Sequence, residues 1–197
     1  MVHKKHTGIV VKRYFPQKQK IVLFDDELGK ITCVPPHDRI SLGTLLSYEI
    51  QERKPVAFIY DVELIAMPLD GLEMDILFVH HILEVCYYFI PEQSTAPEVY
   101  DLLMLLFTKQ ACIRHPLFKK IFLFKLFALL GIYPDRTVPM DALVYRLLAD
   151  PLEILMRGDV TGELERRLTK WLRDCMIMHP CIEYFKTVHF LDENRVV

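Results

Sequence analysis

Residues 7–34, TGIVVKRYFPQKQKIVLFDDELGKITCV, decide the fold class of the first part of the chain. Short runs of β-branched and aromatic residues alternate here with turn residues, which is typical of consecutive β-strands. The pattern predicts strands at Gly8–Phe15, Lys20–Asp25 and Lys30–Val34, with a tight turn at 26–29 between the second and the third.

Two more runs of the same kind follow, at Leu45–Gln51 and Val56–Ile65. Five short strands in some sixty residues predict an antiparallel meander that forms a small Greek-key barrel of the OB type. The strands and loops of OB barrels commonly bind oligonucleotides.

Beyond Pro68 the apolar residues recur at helical spacing, and the strand-like alternation does not return. We therefore predict an α+β protein, with an N-terminal five-stranded OB-type β-barrel at residues 1–69 and an all-α helical domain at 70–197. Gly131 is the expected C-cap of the third helix. In the first predicted helix, Asp75–Phe89, the residues at spacings of three or four are Ile76, Val79, His80, Leu83 and Tyr87. The other predicted helices are Pro97–Lys109, Pro116–Leu130, Met140–Met156, Val160–Met178 and a short segment Cys181–Val188.

Composition indicates a folded cytoplasmic protein. Hydrophobic residues make up 52% of the chain, yet no apolar stretch approaches the roughly 20 residues of a membrane-spanning helix. The five cysteines are an odd number without two-residue spacing, which favours reduced, buried thiols over disulfides. Cys175, His179 and Cys181 match no common zinc spacing, so no metal and no cofactor are expected.

The net charge of −2 hides an asymmetry along the chain. Residues 1–20 contain six basic and no acidic side chains, whereas 14 basic and 18 acidic residues follow from residue 67 onward. Tyr14 and Phe15 lie directly beside Lys12 and Arg13, which suits a surface that binds phosphates and stacks on bases. Solvated surface lysines give the same charge pattern, and the charges alone do not separate the two interpretations.

No catalytic motif is present. The chain lacks the phosphate-binding glycine loops, the H-E-x-x-H zinc motif and the G-x-S-x-G nucleophile motif. His80 and His81 are adjacent on a helix and face different directions, so we expect core-packed or capping histidines. The run Asp25-Asp26-Glu27 is expected to be a solvated hairpin turn. We therefore predict that the protein is not an enzyme.

Several segments, in this order and spacing, resemble the RecO family of bacterial recombination and repair proteins. The most specific is FLFKLFALLGIYPD at Phe122–Asp135, which resembles the family's helix that ends in a leucine-glycine turn and a proline. The other segments are Thr7–Arg13, Ile21–Phe24, Gly29–Ile31, Leu77–Pro91 with Glu84 and Tyr87-Tyr88-Phe89, Tyr100–Leu106 and Tyr184–Leu191.

The resemblance implies binding of single-stranded and duplex DNA, strand annealing, and help in loading the RecA recombinase. It also implies two protein partners, RecR and the acidic C-terminal tail of the single-strand-binding protein SSB, and a location at the bacterial nucleoid. This chain differs from many relatives in two places: it lacks their four-cysteine zinc module, and it has Pro35-Pro-His-Asp-Arg39 where they have a basic loop.

The expected DNA contacts lie in the barrel, and the expected peptide contacts lie on the third helix. An acidic, hydrophobic peptide is expected in a helix groove rimmed by Lys119, Lys120 or Lys125. An alternative function is a protein-interaction adaptor of the repair machinery whose barrel no longer binds DNA. The expected DNA-binding residues are Lys12, Arg13, Tyr14, Phe15, Lys18, Lys20, Lys30 and Arg39.

Overall fold

The computed structural model describes residues 4–14, 19–37, 39–51, 56–67, 75–108, 116–132 and 162–177. The backbone packs as two compact units, Met1–Gln110 and Ala111–Val197. The domain boundary predicted near residue 70 stays a prediction.

Five strands of the first unit close into a barrel, which confirms the predicted number of strands. Their bounds lie within two residues of the predicted ones. Neighbouring strands follow the order β1-β2-β3-β5-β4, and β4 closes the barrel against β1. The strands are β1 (His6–Tyr14), β2 (Lys20–Asp25), β3 (Gly29–Val34), β4 (Leu45–Gln51) and β5 (Ala57–Ala66).

One pairing differs from the predicted antiparallel meander. β3 pairs in parallel with β5, through Cys33↔Ala57 and Val34↔Phe58, whereas a meander would place β4 beside it. Two prolines, Pro35 and Pro36, directly follow β3. Because proline has no backbone N–H for a ladder, the chain leaves the sheet here. It returns as β4, which pairs with β1 and β5.

The barrel interior is filled by side chains from all five strands and from the segment before β4. Apolar residues alternate with outward-facing ones, so each strand contributes to the core with a period of two. The core residues are Val10, Ile21, Leu23, Cys33, Ile40, Leu46, Tyr48 and Ile59.

The described part of the first unit also contains two helices, and both were predicted. Helix α1 (Ile76–Phe89) begins after Asp75, whose side chain accepts a hydrogen bond from the Phe78 N–H at 3.1 Å. It ends before Pro91, which cannot continue a helix. Helix α2 (Pro97–Thr108) begins with a proline, a favoured first-turn residue.

The buried face of α1 is wider than the set of residues that recur at helical spacing. Of that set, Val79 and Leu83 are buried, His80 and Tyr87 are half-buried, and Ile76 is exposed. The spacing therefore predicts the helix, but it does not define its buried face. The buried residues of α1 are Phe78, Val79, His81, Ile82, Leu83, Val85 and Cys86.

Around Phe24 and Thr7, the outer face of β1 and β2 is covered by these helices. Helix α1 packs against β1. The Phe24 ring of β2 is fully buried, with its centroid 6.0 Å from that of Tyr100 in α2, and the Tyr100 hydroxyl donates to Thr7 Oγ1 at 3.1 Å. This part of the barrel surface is therefore not open to a ligand.

The predicted solvated turn at Asp25-Asp26-Glu27 is wrong for its first residue. Asp25 is 1% exposed, because its carboxylate accepts hydrogen bonds from the Glu27 N–H at 2.8 Å, the Leu28 N–H at 2.7 Å and the Tyr48 hydroxyl at 2.5 Å. Burial raises the pKa of Asp25, although these three hydrogen bonds oppose the shift. Asp26 and Glu27 are exposed, as expected of a turn.

The same turn is held by the segment that follows α1. Gly29 has φ of +73°, and a Cβ at this position would lie 2.2 Å from the Ser94 carbonyl oxygen. The next residue, Lys30, donates its N–H to Ser94 O at 3.3 Å and accepts from the Gln93 N–H at 2.8 Å. Residues 92–94 therefore lie along β3 in the region that β5 does not reach.

The described part of the second unit consists of helices α3 (Pro116–Leu129) and α4 (Gly162–Ile177). The prediction of Gly131 as a C-cap is confirmed: its φ is +70°, and the Ile132 N–H donates to Phe127 O at 2.9 Å. Trp171 of α4 packs against Phe124 of α3, with ring centroids 4.7 Å apart. The helices predicted at 140–156 and 181–188 lie outside the described residues.

None of the helices in the described ranges has the length and apolarity that crossing a bilayer requires. Three of the five cysteines are described, and all three are buried free thiols, as predicted: Cys33, Cys86 and Cys175. Burial raises the pKa of each of these thiols to about 12.

Candidate nucleic-acid interface

A β-bulge decides which way the basic residues of β1 face. Val10 pairs with Leu23 in the barrel core, but the register shifts before Lys12, which pairs with Val22. Because paired residues share a face and the face alternates along a strand, the bulge turns Lys12 and Tyr14 outward. Without it, Lys12 would follow Val10 into the barrel.

Three of the predicted DNA-binding residues consequently lie together. Lys12, Tyr14 and Lys20 share the outer face, since Tyr14 and Lys20 are direct cross-strand partners. Arg13 pairs with the core residue Ile21, so it lies on the inner face at the end of the barrel, half-buried. Tyr14 is 36% exposed, and Lys12 and Lys20 are half-buried.

Tyr87, in the last turn of α1, links this group to the helix. Its hydroxyl lies 2.8 Å from that of Tyr14, and its ring centroid lies 5.1 Å from Lys12 Nζ. The Tyr88 ring meets it edge-on at 5.0 Å. We define the tyrosine-lysine rim as Lys12, Tyr14, Lys20 and Tyr87, an aromatic surface bordered by ammonium groups.

Lys30 lies next to Tyr87 of the rim and is 6% exposed. Its ammonium donates to the Tyr87 carbonyl oxygen at 2.7 Å, lies 5.3 Å from the Tyr87 ring centroid and is 4.0 Å from Glu92 Oε1. Burial lowers the pKa of Lys30. A cation at the C-terminal end of a helix is favourable, so Lys30 fixes the end of α1 to β3.

The remaining barrel predictions lie apart from the rim or outside the described residues. Arg39 is exposed, between β3 and β4. Phe15 and Lys18 lie outside the described residues.

The basic cluster of residues 1–20 is divided by ion pairs. Lys4 forms an ion pair with Glu27. Lys5 lies 3.1 Å from Asp61 and 2.9 Å from Glu63. These carboxylates offset the charges of Lys4 and Lys5, so the positive charge that remains for a ligand belongs mainly to the later basic residues.

The predicted partner-binding lysines of α3 have different surroundings. Lys120 is 5% exposed and donates to Glu165 of α4 at 2.8 Å, whereas Lys119 and Lys125 are half-buried. Only Lys120 of the three lines a groove of about 390 Å³ on α4. The other described residues that line it are Gly162, Glu165, Arg166, Thr169, Lys170 and Arg173.

Sequence reasoning missed two groups of residues: Arg166, Lys170 and Arg173, which line the groove, and Tyr87 of the rim. Arg166, Lys170 and Arg173 follow one another at spacings of four and three, a helical signal that the net negative charge after residue 67 concealed. Tyr87 was noted only for its helical spacing. Its contact with Tyr14 joins residues 73 positions apart, and local spacing does not reveal such a contact.

Within the described ranges, no group of three or more histidine, cysteine, aspartate or glutamate side chains is placed to hold a metal ion. Cys112, His179 and Cys181 lie outside those ranges. No protein-family model matches the chain, and no curated protein does either.

Proposed function

We propose that this protein is a non-enzymatic mediator of recombinational repair that binds single-stranded DNA at the tyrosine-lysine rim of an OB-type barrel. The observation that carries the proposal is the rim itself: an exposed tyrosine on the outer face of β1, bordered by two lysines. The closed barrel with the order β1-β2-β3-β5-β4 supports the OB type.

Each rim residue has a role in the proposed binding. Lys12 and Lys20 neutralise phosphates, an attachment that is independent of sequence and weakens with salt. Tyr14 stacks on a base through its ring, while its hydroxyl contacts that of Tyr87. Arg39 adds a cation from the loop after β3. Lys30 takes a structural role, because its ammonium is buried against Tyr87 and Glu92.

The wider proposal follows the resemblance to RecO. It includes duplex binding, strand annealing, assistance in recombinase loading, and partnership with a RecR-like protein and the SSB tail. These proposals place the protein at the bacterial nucleoid in the cytoplasm. Zinc has no part in them.

A second candidate, the adaptor function, is favoured by one observation. The part of the outer face of β1 and β2 around Phe24 is covered by α1 and α2, with Phe24 fully buried. An OB barrel that uses this face for a ligand would leave it open. In the adaptor, the barrel is a scaffold and a replication or repair protein is the only partner.

Neutralising Lys12 and Lys20 together, as Lys12→Gln/Lys20→Gln, is expected to weaken single-stranded DNA binding about tenfold at low salt. Loss of two phosphate contacts should also reduce the slope of log affinity against log salt by about 1.4. The measurement is fluorescence anisotropy of a labelled oligothymidine over a salt series. The matched control is Lys4→Gln/Lys5→Gln, which removes the same charge from lysines paired with acids.

Equal losses in the two double variants would show a general charge effect and would contradict a localised rim. If the wild type binds no oligonucleotide even at low salt, DNA binding is excluded and the adaptor function remains.

Tyr14→Leu is expected to weaken DNA binding about tenfold while leaving the salt slope unchanged, because stacking on a base involves no phosphate contact. Tyr14→Phe keeps the ring and loses only the hydroxyl contact with Tyr87, so it should bind nearly as well as the wild type. The same anisotropy titration measures both variants. A loss of equal size in Tyr14→Phe would mean that the hydroxyl pair, and not stacking, supports binding.

A further inference from the structure

Three basic residues of α4 lie close together on the helix surface. At 100° per residue, Arg166, Lys170 and Arg173 fall within about 60° of one another, and all three line the groove. Arg167 falls about 100° from Arg166 and is not among the described residues that line it.

Glu165 is the acidic residue among those that line the groove, and its charge is already matched. Its carboxylate accepts from Lys120 Nζ at 2.8 Å. With four basic residues and one acidic residue, the described lining has a formal charge of +3, and three of its basic residues, Arg166, Lys170 and Arg173, belong to α4. These cations span about 10 Å along the helix axis.

The buried side of α4 packs on α3. Trp171 lies between Phe124 and Phe127, with ring centroids 4.7 Å and 6.4 Å away. Leu168 and Leu172 are also buried. The backbone that carries the three cations is therefore held in place before any ligand arrives.

The chemistry of the lining favours a phosphate ligand. The described lining consists of charged residues, a threonine and a glycine, and it includes no apolar side chain. A hydrophobic acidic peptide would need an apolar pocket for its side chains. Two of the three cations are guanidinium groups, whose paired N–H donors match phosphate oxygens.

We propose that the α4 groove is a second DNA-binding site, which holds the phosphodiester backbone through Arg166, Lys170 and Arg173. This inference rests on the proposed DNA-binding function but not on the tyrosine-lysine rim. We expect this binding to be independent of sequence, because contacts with phosphates carry no direct information about the bases.

The test compares Arg166→Gln/Lys170→Gln/Arg173→Gln and Lys170→Gln with Arg167→Gln, in the anisotropy titration with labelled oligothymidine. The triple variant should bind about tenfold more weakly at low salt, with a salt slope smaller by about 2. Lys170→Gln should show a smaller loss in the same direction, and Arg167→Gln should bind like the wild type. Trp171 fluorescence must be unchanged in all three, which shows that the helices still pack.

The outcomes separate the two proposals. If the triple variant keeps wild-type affinity and slope while Lys12→Gln/Lys20→Gln loses both, the groove inference is wrong and the rim stands. If only the triple variant loses affinity, the groove stands and the rim is wrong. A wild type that binds no oligonucleotide overturns both. If the triple variant keeps DNA binding but loses an acidic peptide that the wild type binds, the groove is a peptide site and this inference is wrong.

Discussion

Gly29→Ala is expected to lower the free energy of unfolding by at least about 3 kcal/mol. A residue with a side chain at φ of +73° is strained by about 1–2 kcal/mol. In addition, the new methyl group would lie 2.2 Å from Ser94 O and 2.4 Å from Ser94 C. These are backbone atoms, so the turn and the 92–94 segment would have to separate.

The matched control for this substitution is Gly131→Ala. Gly131 has nearly the same φ, +70°, but a Cβ there would meet no atom within 4 Å. The free energy of unfolding of the control should therefore fall only by the cost of the backbone strain, about 1–2 kcal/mol. Urea unfolding followed by far-ultraviolet circular dichroism measures both variants. Equal losses would mean that Ser94 does not pack against Gly29.

His81 is expected to make the protein less stable in acid, by about 2 kcal/mol between about pH 8 and about pH 5. It is fully buried in α1, and burial lowers its pKa from 6.5 to about 4. Between these two values the unfolded chain takes up a proton that the folded protein does not. The contribution of His81 to the free energy of unfolding is therefore fully present above about pH 6.5, and it is lost as the pH drops toward 4.

The variant that tests this prediction is His81→Leu, which removes the imidazole and keeps an apolar side chain. The difference in unfolding free energy between wild type and variant, measured by urea unfolding at each pH, isolates His81. The same difference removes the contribution of Asp25, which is present in both proteins. The raised pKa of Asp25 acts in the opposite direction, because it favours the folded state as the pH falls. His80→Leu is the control, since its imidazole is half-buried. Parallel pH profiles for wild type and His81→Leu would refute the prediction.

Local patterns were enough to predict the elements of the described chain. β-branched runs between turn residues located all five strands, and Asp75, Pro97 and Gly131 marked helix ends by their own conformational preferences. These signals depend on a residue and its near neighbours. They do not say which strands pair, so the parallel pairing of β3 with β5 was missed.

The candidate sites depended on contacts between distant residues. Asp25 lies in a turn where acids are ordinarily solvated, and its burial depends on Tyr48, 23 residues later. Lys30 resembles any surface lysine in the sequence, and only the packing of α1 shows that it is enclosed. The outward direction of Lys12 depends on a bulge that the alternation of β1 does not reveal.

The contact of residues 92–94 with β3 sets an order of events during synthesis. A ribosome that has released only the five strands has not yet supplied the segment that hydrogen-bonds Lys30, so the edge of β3 stays unpaired. Unpaired strand edges on nascent chains are the sites at which neighbouring chains pair with one another. The edge of β3 is protected from such pairing only after α1 has been synthesised and residues 92–94 have formed their hydrogen bonds with Lys30.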